Sequence, residues 1–167
     1  EDALALAERL MSAVQSDQLE QAFPNLAFRQ RAWSIPIPPN DPLYADQFFL
    51  ADIDIEDAWA IGTGSADVTV VVADNGCDLT HPELVDKLDP GFDPIEDDDD
   101  PSWKEGQGAE HGTACSGLVA ASTNNGTGIA GACPDCRWRC ARLLPGAGED
   151  VTVASDVLTF EFALEVD

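Results

Sequence analysis

Basic residues are scarce in this sequence. Its 167 residues carry 8 Lys and Arg against 32 Asp and Glu, a formal net charge of −24. So few cations cannot neutralise a phosphate backbone or an anionic lipid surface, which excludes nucleic acid and acidic membranes as partners. Cations, basic peptides and basic protein surfaces remain. Long apolar runs are also missing. No stretch reaches the roughly 18 apolar residues of a membrane-spanning helix. No leader is visible, and the chain opens on Glu1 without a Met, which reads as a processed or trimmed product. Histidine is limited to His81 and His111, both in Gly-, Pro- and acid-rich surroundings rather than in apolar stripes. Five cysteines leave one over after any pairing, so their number does not set the compartment.

What is present suffices for one domain with a real core, though not for two full ones. Hydrophobic residues make up 44% of the chain, an ordinary share for a globular protein. Residues 3–14 place Ala3, Leu6, Ala7, Leu10 and Val14 on one helical face, and 19–34 read as strand-like. The proline-rich stretch 34–44 looks like a linker. A short helix is expected near Asp54–Ala60, a buried strand over 67–73, a helix of small residues over 111–122 and a strand over 137–144. A last helix follows, with Ser155 as its N-cap. Strand, helix, strand, helix implies a parallel α/β sheet.

The stretch VVVADNGCDLTHPEL (70–84) runs a β-branched strand directly into Asp74. Open α/β sheets place ligands and chemistry beyond the carboxyl ends of their strands. Asp-Asn-Gly is also a good turn, and at this point both readings stand. The second chemical group comes 37 residues later, in HGTACSGLVAA (111–121). The small side chains that follow His111 let its helix approach a neighbour closely. The positive end of the helix dipole disfavours a protonated imidazole, which suits a general base. CPDCRWRC (133–140) raises zinc, iron–sulfur and redox chemistry, but only three thiols cluster and no His follows. A local Cys133–Cys136 disulfide or free thiols rank ahead of a metal.

Taken in order, VVVADNGCDLTHPEL, HGTACSGLVAA and NNGTGIAGACP (124–134) resemble the subtilisin-like serine proteases. Within that superfamily, NDPLYADQFFL (40–50), the acidic loop LDPGFDPIEDDDDP (88–101) and the Cys of HGTAC are similar to the kexin/furin-type convertases. The resemblance spans about residues 38–166. It implies an α/β fold with a three-layer parallel sheet, present in part over residues 36–167 and completed by a missing C-terminal part. Residues 1–35 resemble the end of a propeptide.

By the same resemblance Asp74 is the orienting acid and His111 the base of an Asp-His-Ser triad. The Ser and the oxyanion Asn would lie on a separate or further C-terminal piece that pairs non-covalently with this one. The implied activity is endopeptidase hydrolysis of a peptide or protein substrate, in a secreted or periplasmic setting. The alternative is a clipped or degenerate chain kept for binding or regulation. A structural Ca²⁺ is implied at Asp41, Glu83, the Asn125 side chain and the backbone oxygens of Thr123, Thr127 and Ile129; a plain Asn-Asn-Gly turn is the competing reading. Glu83 stands where the family has Asp. Convertases carry acids where this chain has Asn75 and Gly108, which removes two expected readers of a basic side chain. The run Glu96–Asp100 reads as a solvated loop.

Overall fold

The computed structural model describes residues 38–103, 110–144 and 150–164. The propeptide-like reading of residues 1–35, the helical face over 3–14 and Gly108 lie outside them. In chain order the elements are α1 (Phe48–Asp52), α2 (Ile55–Ile61), β1 (Thr69–Asp74), α3 (Glu110–Ala120), β2 (Arg137–Arg142) and α4 (Val153–Leu164). Strands β1 and β2 pair in parallel, from Thr69 opposite Arg137 to Asp74 opposite Arg142. Helix α3 is the crossover between them and packs on both. This is the mixed α/β architecture, with a parallel sheet, that the strand-helix-strand order implied.

Within the described residues the expected helices and strands hold, with shifted ends. The strand expected to be covered on both faces is not so covered by the described residues. Val72 and Asp74 are buried, Val70 and Val71 half-buried, and Ala73 is exposed. Side chains alternate between the two faces of a strand; on one, Phe162 of α4 lies 4.0 Å from the Arg139 guanidinium, and the other is packed by α3. On that face Trp138 is fully buried, and its indole N–H donates to the Leu84 carbonyl at 2.8 Å. Leu84, Ala120 and the Cys77–Cys140 disulfide complete this core.

A second core gathers Leu50, Ile55 and Trp59 from α1 and α2 around Ala130. Gln47 brackets Ala130, accepting its N–H at 2.8 Å and donating to its carbonyl at 2.9 Å. Residues 38–44 are therefore no free linker. Pro39 and Asp41 are buried, and the Asp41 carboxylate accepts two backbone N–H groups of the 124–126 loop. Proline excludes helix there but not packing.

The N-cap of α4 is Thr152 rather than Ser155. Thr152 Oγ1 accepts the Ser155 N–H at 3.1 Å, while Ser155 lies buried in the first turn. The acidic loop is only partly solvated. Glu96 to Asp100 are exposed, but Asp93 is fully buried and ion-paired with the equally buried Arg142. The Cys133–Cys136 disulfide is present.

Candidate active site

Asp74 is the last residue of β1, and three features fix it there. Its carbonyl accepts the N–H groups of Leu143 and Leu144, at 2.8 and 3.0 Å, which ties the strand end to the chain leaving β2. Its carboxylate Oδ1 accepts the N–H of Asn75 at 2.8 Å. Its side chain is buried, with 9% of its surface exposed.

His111 occupies the first turn of α3. Its Nδ1 lies 2.9 Å from Asp74 Oδ1 and 2.8 Å from Oδ2. A carboxylate only accepts, so the proton sits on Nδ1 and Nε2 carries the free lone pair. The imidazole is 69% exposed, and no hydrogen bond reaches Nε2 among the described residues. The pair is thus an oriented imidazole with its basic edge open.

The sequence around His111 explains why the two groups meet. A β-carbon on Gly112 would collide with the Gly76 carbonyl oxygen and sit 3.1 Å from Asp74 Cβ, so only glycine lets α3 come this close to the end of β1. The Gly112 N–H donates to Asn75 Oδ1 at 3.0 Å. Thr113 Oγ1 accepts the Asp78 N–H at 2.8 Å. These two bonds satisfy the start of the helix and the turn after β1 together. Ser116, fully buried, donates to the Gly112 carbonyl at 2.8 Å and packs against Cys77.

Sequence reading did not anticipate the setting of Cys115. It is the one thiol left out of a disulfide, and its sulfur lies 3.7 Å from His111 Nδ1. Burial, and then the charge and hydrogen bonding of Asp74, push its pKa up. It therefore stays a neutral thiol beside the pair. Its i, i+4 spacing from His111 was the available signal.

The residues singled out for calcium form a second cluster. Asp41 accepts the N–H groups of Asn124 and Asn125, at 2.7 and 3.1 Å. The Asn125 side chain donates to Glu83 Oε1 at 3.0 Å and accepts the Thr127 N–H at 2.9 Å. Positive φ at Asn124, Gly126 and Gly128 curls the loop around these groups. Glu83 is buried, and its Oε2 has no hydrogen-bond partner. Such an orphaned oxygen is costly unless a cation meets it. Hard oxygen donors from two carboxylates, an amide and a Gly-rich loop are the set Ca²⁺ takes, so the residues fit the ion. Asp41, Glu83 and Asn125 come together here as expected. The Thr123 hydroxyl, a different atom from the backbone oxygen implied as a ligand, donates to the Ala121 carbonyl at 3.3 Å and accepts the Gly131 N–H at 3.0 Å.

Comparison with known proteins places this geometry in a family. Residues 65–163 match the model of the subtilase family. The chain is 37% identical to thermitase of Thermoactinomyces vulgaris, over 70% of this chain and 40% of that protein. It is 36% identical to a thermophilic serine proteinase of Bacillus sp. (strain AK1), over 84% of this chain and 33% of that one. Furin of Bos taurus is 33% identical over 87% of this chain and 19% of its own length. Among solved structures, proteases of Pseudoalteromonas arctica superpose with a TM-score of 0.58 at 30% identity, covering 67% of this chain and 40% of theirs. The chain thus spans less than half the length of each of these relatives. With the model match covering more than half of the chain, it belongs to the subtilase family.

Proposed function

We propose that this chain is the N-terminal part of a subtilisin-like serine endopeptidase and supplies two of its three triad members. The observation that carries the reading is the His111 Nδ1–H held on the Asp74 carboxylate with Nε2 left open. In that role Nε2 takes the proton of a serine hydroxyl as its oxygen bonds to the scissile carbonyl carbon. Asp74 keeps the ring in the reactive tautomer and stabilises the imidazolium that results. The imidazolium then protonates the departing amine, and the same ring activates the water that releases the acyl group.

The serine and the oxyanion-binding asparagine come from polypeptide beyond this chain, which also covers the apolar face of α4. Cleaved or continuous, that part is the partner of residues 36–167. Ca²⁺ is held by Asp41, Glu83, the Asn125 side chain and the carbonyls of Thr123, Thr127 and Ile129. When bound it supplies positive charge that locks the 123–129 loop; it takes no part in proton transfer. A relative from Natrialba magadii is named an extracellular protease, and the same setting is proposed here. Among the described residues no helix is long and apolar enough to cross a membrane.

A fluorophosphonate probe tests the reading on the whole protein. A labelled serine is expected, and labelling is lost in His111→Ala. Asp74→Asn should lower turnover by about 10⁴, the cost of losing the orienting carboxylate in a Ser-His-Asp site. No labelling of an active-site serine would identify a non-catalytic relative retained for binding, and more than a tenth of the activity left in either variant would overturn the roles given to His111 and Asp74.

A further inference from the structure

The stretch CPDC (133–136) takes no part in the proton-transfer chemistry, and its two sulfurs form a disulfide just ahead of β2. This bond differs from the other disulfide in its setting. Cys77 and Cys140 are fully buried in the core and lie 63 residues apart in sequence. Cys133 is half-buried, Cys136 is 1% exposed, and the two lie 3 residues apart. Thiol–disulfide exchange requires a thiolate to reach one of the bonded sulfurs. Of the four bonded cysteines only Cys133 is not buried, so an incoming thiol has one point of entry.

The disulfide sits in a junction between elements. The Ala132 and Cys133 N–H groups donate to the Leu118 and Val119 carbonyls, at 2.9 and 2.7 Å, at the C-terminal end of α3. The Trp59 indole N–H of α2 donates to the Ala132 carbonyl at 3.0 Å. The Asp135 N–H donates to the Thr63 carbonyl at 3.0 Å, and the Thr63 hydroxyl donates to the Asp135 carboxylate. The end of α3, helix α2, the connector into β1 and the entry to β2 thus meet within residues 132–136. Gly64 makes this junction sensitive to the state of the sulfurs. A β-carbon at Gly64 would collide with both of them, so the connector backbone lies directly against the bond. Bonded sulfurs stand about 2.05 Å apart, well inside van der Waals contact. Two free thiols must therefore move apart, and the Gly64 backbone closes the space on one side.

We propose that Cys133–Cys136 is a thiol-exchange site whose reactant is a low-molecular-weight thiol, and that opening it loosens the rear of the helix that carries His111. The reactant's thiolate attacks Cys133 Sγ. A bond forms between the two sulfurs, the Cys133–Cys136 bond breaks, and Cys136 leaves as a thiolate that takes a proton from solvent. A second reactant thiolate attacks the reactant's own sulfur in this mixed disulfide and releases Cys133, which is protonated in turn. Two thiols are oxidised to their disulfide, and the protein gains two electrons and two protons. None of these steps depends on the endopeptidase reading.

The test uses the whole protein. Iodoacetamide first marks Cys115, mercaptoethanol is then added in increasing amounts, and newly freed thiols are marked with isotopically heavy iodoacetamide and mapped by peptide. The heavy mark should reach Cys133 and Cys136 at a thiol concentration that leaves Cys77 and Cys140 unmarked. At that concentration the melting temperature should fall by a few degrees, the modest effect of a short closed loop. Amide exchange should quicken at Ala132 and Cys133, and at Ala121, whose N–H closes the last turn of α3 on Gly117. The double variant Cys133→Ser, Cys136→Ser should show neither response to the thiol. Single variants identify the point of entry: with Cys115 blocked, cystamine should add one adduct to Cys136→Ser and none to Cys133→Ser, whose remaining thiol is buried. The wild-type mapping needs no variant to fold. A heavy mark that reaches all four cysteines together, or equal adducts on the two single variants, overturns the exchange site. Reduction confined to Cys133 and Cys136 that moves neither melting nor amide exchange overturns the link to α3.

Discussion

The α-carbon of Gly112 sits so close to the carbonyl oxygen of Gly76 that no β-carbon fits at position 112. Gly76 is itself constrained, with φ of +94° and a would-be β-carbon 2.9 Å from the backbone of Pro101 and Trp103. Two glycines thus set the spacing between the end of β1 and the start of α3, and with it the reach from His111 to Asp74.

Gly112→Ala should therefore damage stability and activity together. The atom it meets is backbone, which cannot rotate away, so α3 must shift from β1. Overpacking of this kind costs about 1–3 kcal/mol. Turnover should fall further than stability alone accounts for, because the shift carries His111 off its carboxylate. The check is a melting curve alongside kcat on the whole protein; a variant with wild-type melting and wild-type kcat contradicts the packing argument.

Asp74 and His111 were legible in the sequence because each sits in a local signature: a β-branched strand ending in acid, and a His opening a run of small residues. Both signatures depend only on residues near in sequence. The Cys77–Cys140 disulfide was not legible, although both thiols were in view. The pairing depends on β1 and β2 lying side by side in parallel, so that Cys77, just beyond the end of β1, meets Cys140 of β2. No periodicity encodes that register. The same holds for the buried Arg142–Asp93 pair, whose acid lies just before the run Glu96–Asp100 that reads as solvated. Thr152 displaced Ser155 as N-cap because both are good capping residues three apart, and propensity alone does not choose between them.

Glu83 yields a prediction in which the sign changes with the metal. In calcium, the wild-type protein should be more stable than Glu83→Gln, because the variant loses a charged ligand. A ligand bound only by the native state adds about 2.7 kcal/mol at a hundredfold excess over its dissociation constant. In a chelator the order should close or reverse, since the amide removes a buried, unpaired carboxylate oxygen. Melting temperatures of both proteins with and without chelator check this. A wild-type melt that ignores the chelator, in protein shown to be metal-free, counts against the site.

Asp89 supplies a pH dependence. It clasps the first residues of both strands: Arg137 Nε donates to Oδ1 at 2.6 Å, and the Thr69 hydroxyl to Oδ2 at 3.3 Å. The hydrogen bond from Arg137, above all, holds the Asp89 carboxyl below its ordinary 3.8, against a smaller opposing effect of burial. A folded pKa below the unfolded one means stability that is fully present above the unfolded value and is lost as pH falls through the folded value. The difference in melting temperature between wild type and Asp89→Asn should therefore be constant near neutrality and shrink below the ordinary 3.8. A difference that grows on acidification contradicts the pairing.

Helix α4 leaves apolar surface uncovered by the described residues. Val153 is 79% exposed, Phe160 67% and Leu164 84%, although Ser155 and Thr159 on its other side are buried. The sheet of the described residues has only β1 and β2, and a two-stranded sheet is marginal without further cover. If the remaining part of the catalytic domain supplies that cover, the same substitution has opposite effects in two contexts. Phe160→Ser should improve the solubility of residues 38–167 expressed alone, because it removes surface that drives association. In the whole protein it should cost about 1.5–3 kcal/mol, the value of burying a large apolar side chain. Residues 38–167 alone should also bind a hydrophobic dye and melt without cooperativity, because stability is a small difference between large terms. Sedimentation and calorimetry of the two forms give the answer. A monodisperse fragment with a sharp transition, or a whole protein indifferent to Phe160→Ser, places nothing on this face and removes the α4 surface from the proposed contact with the serine-bearing part.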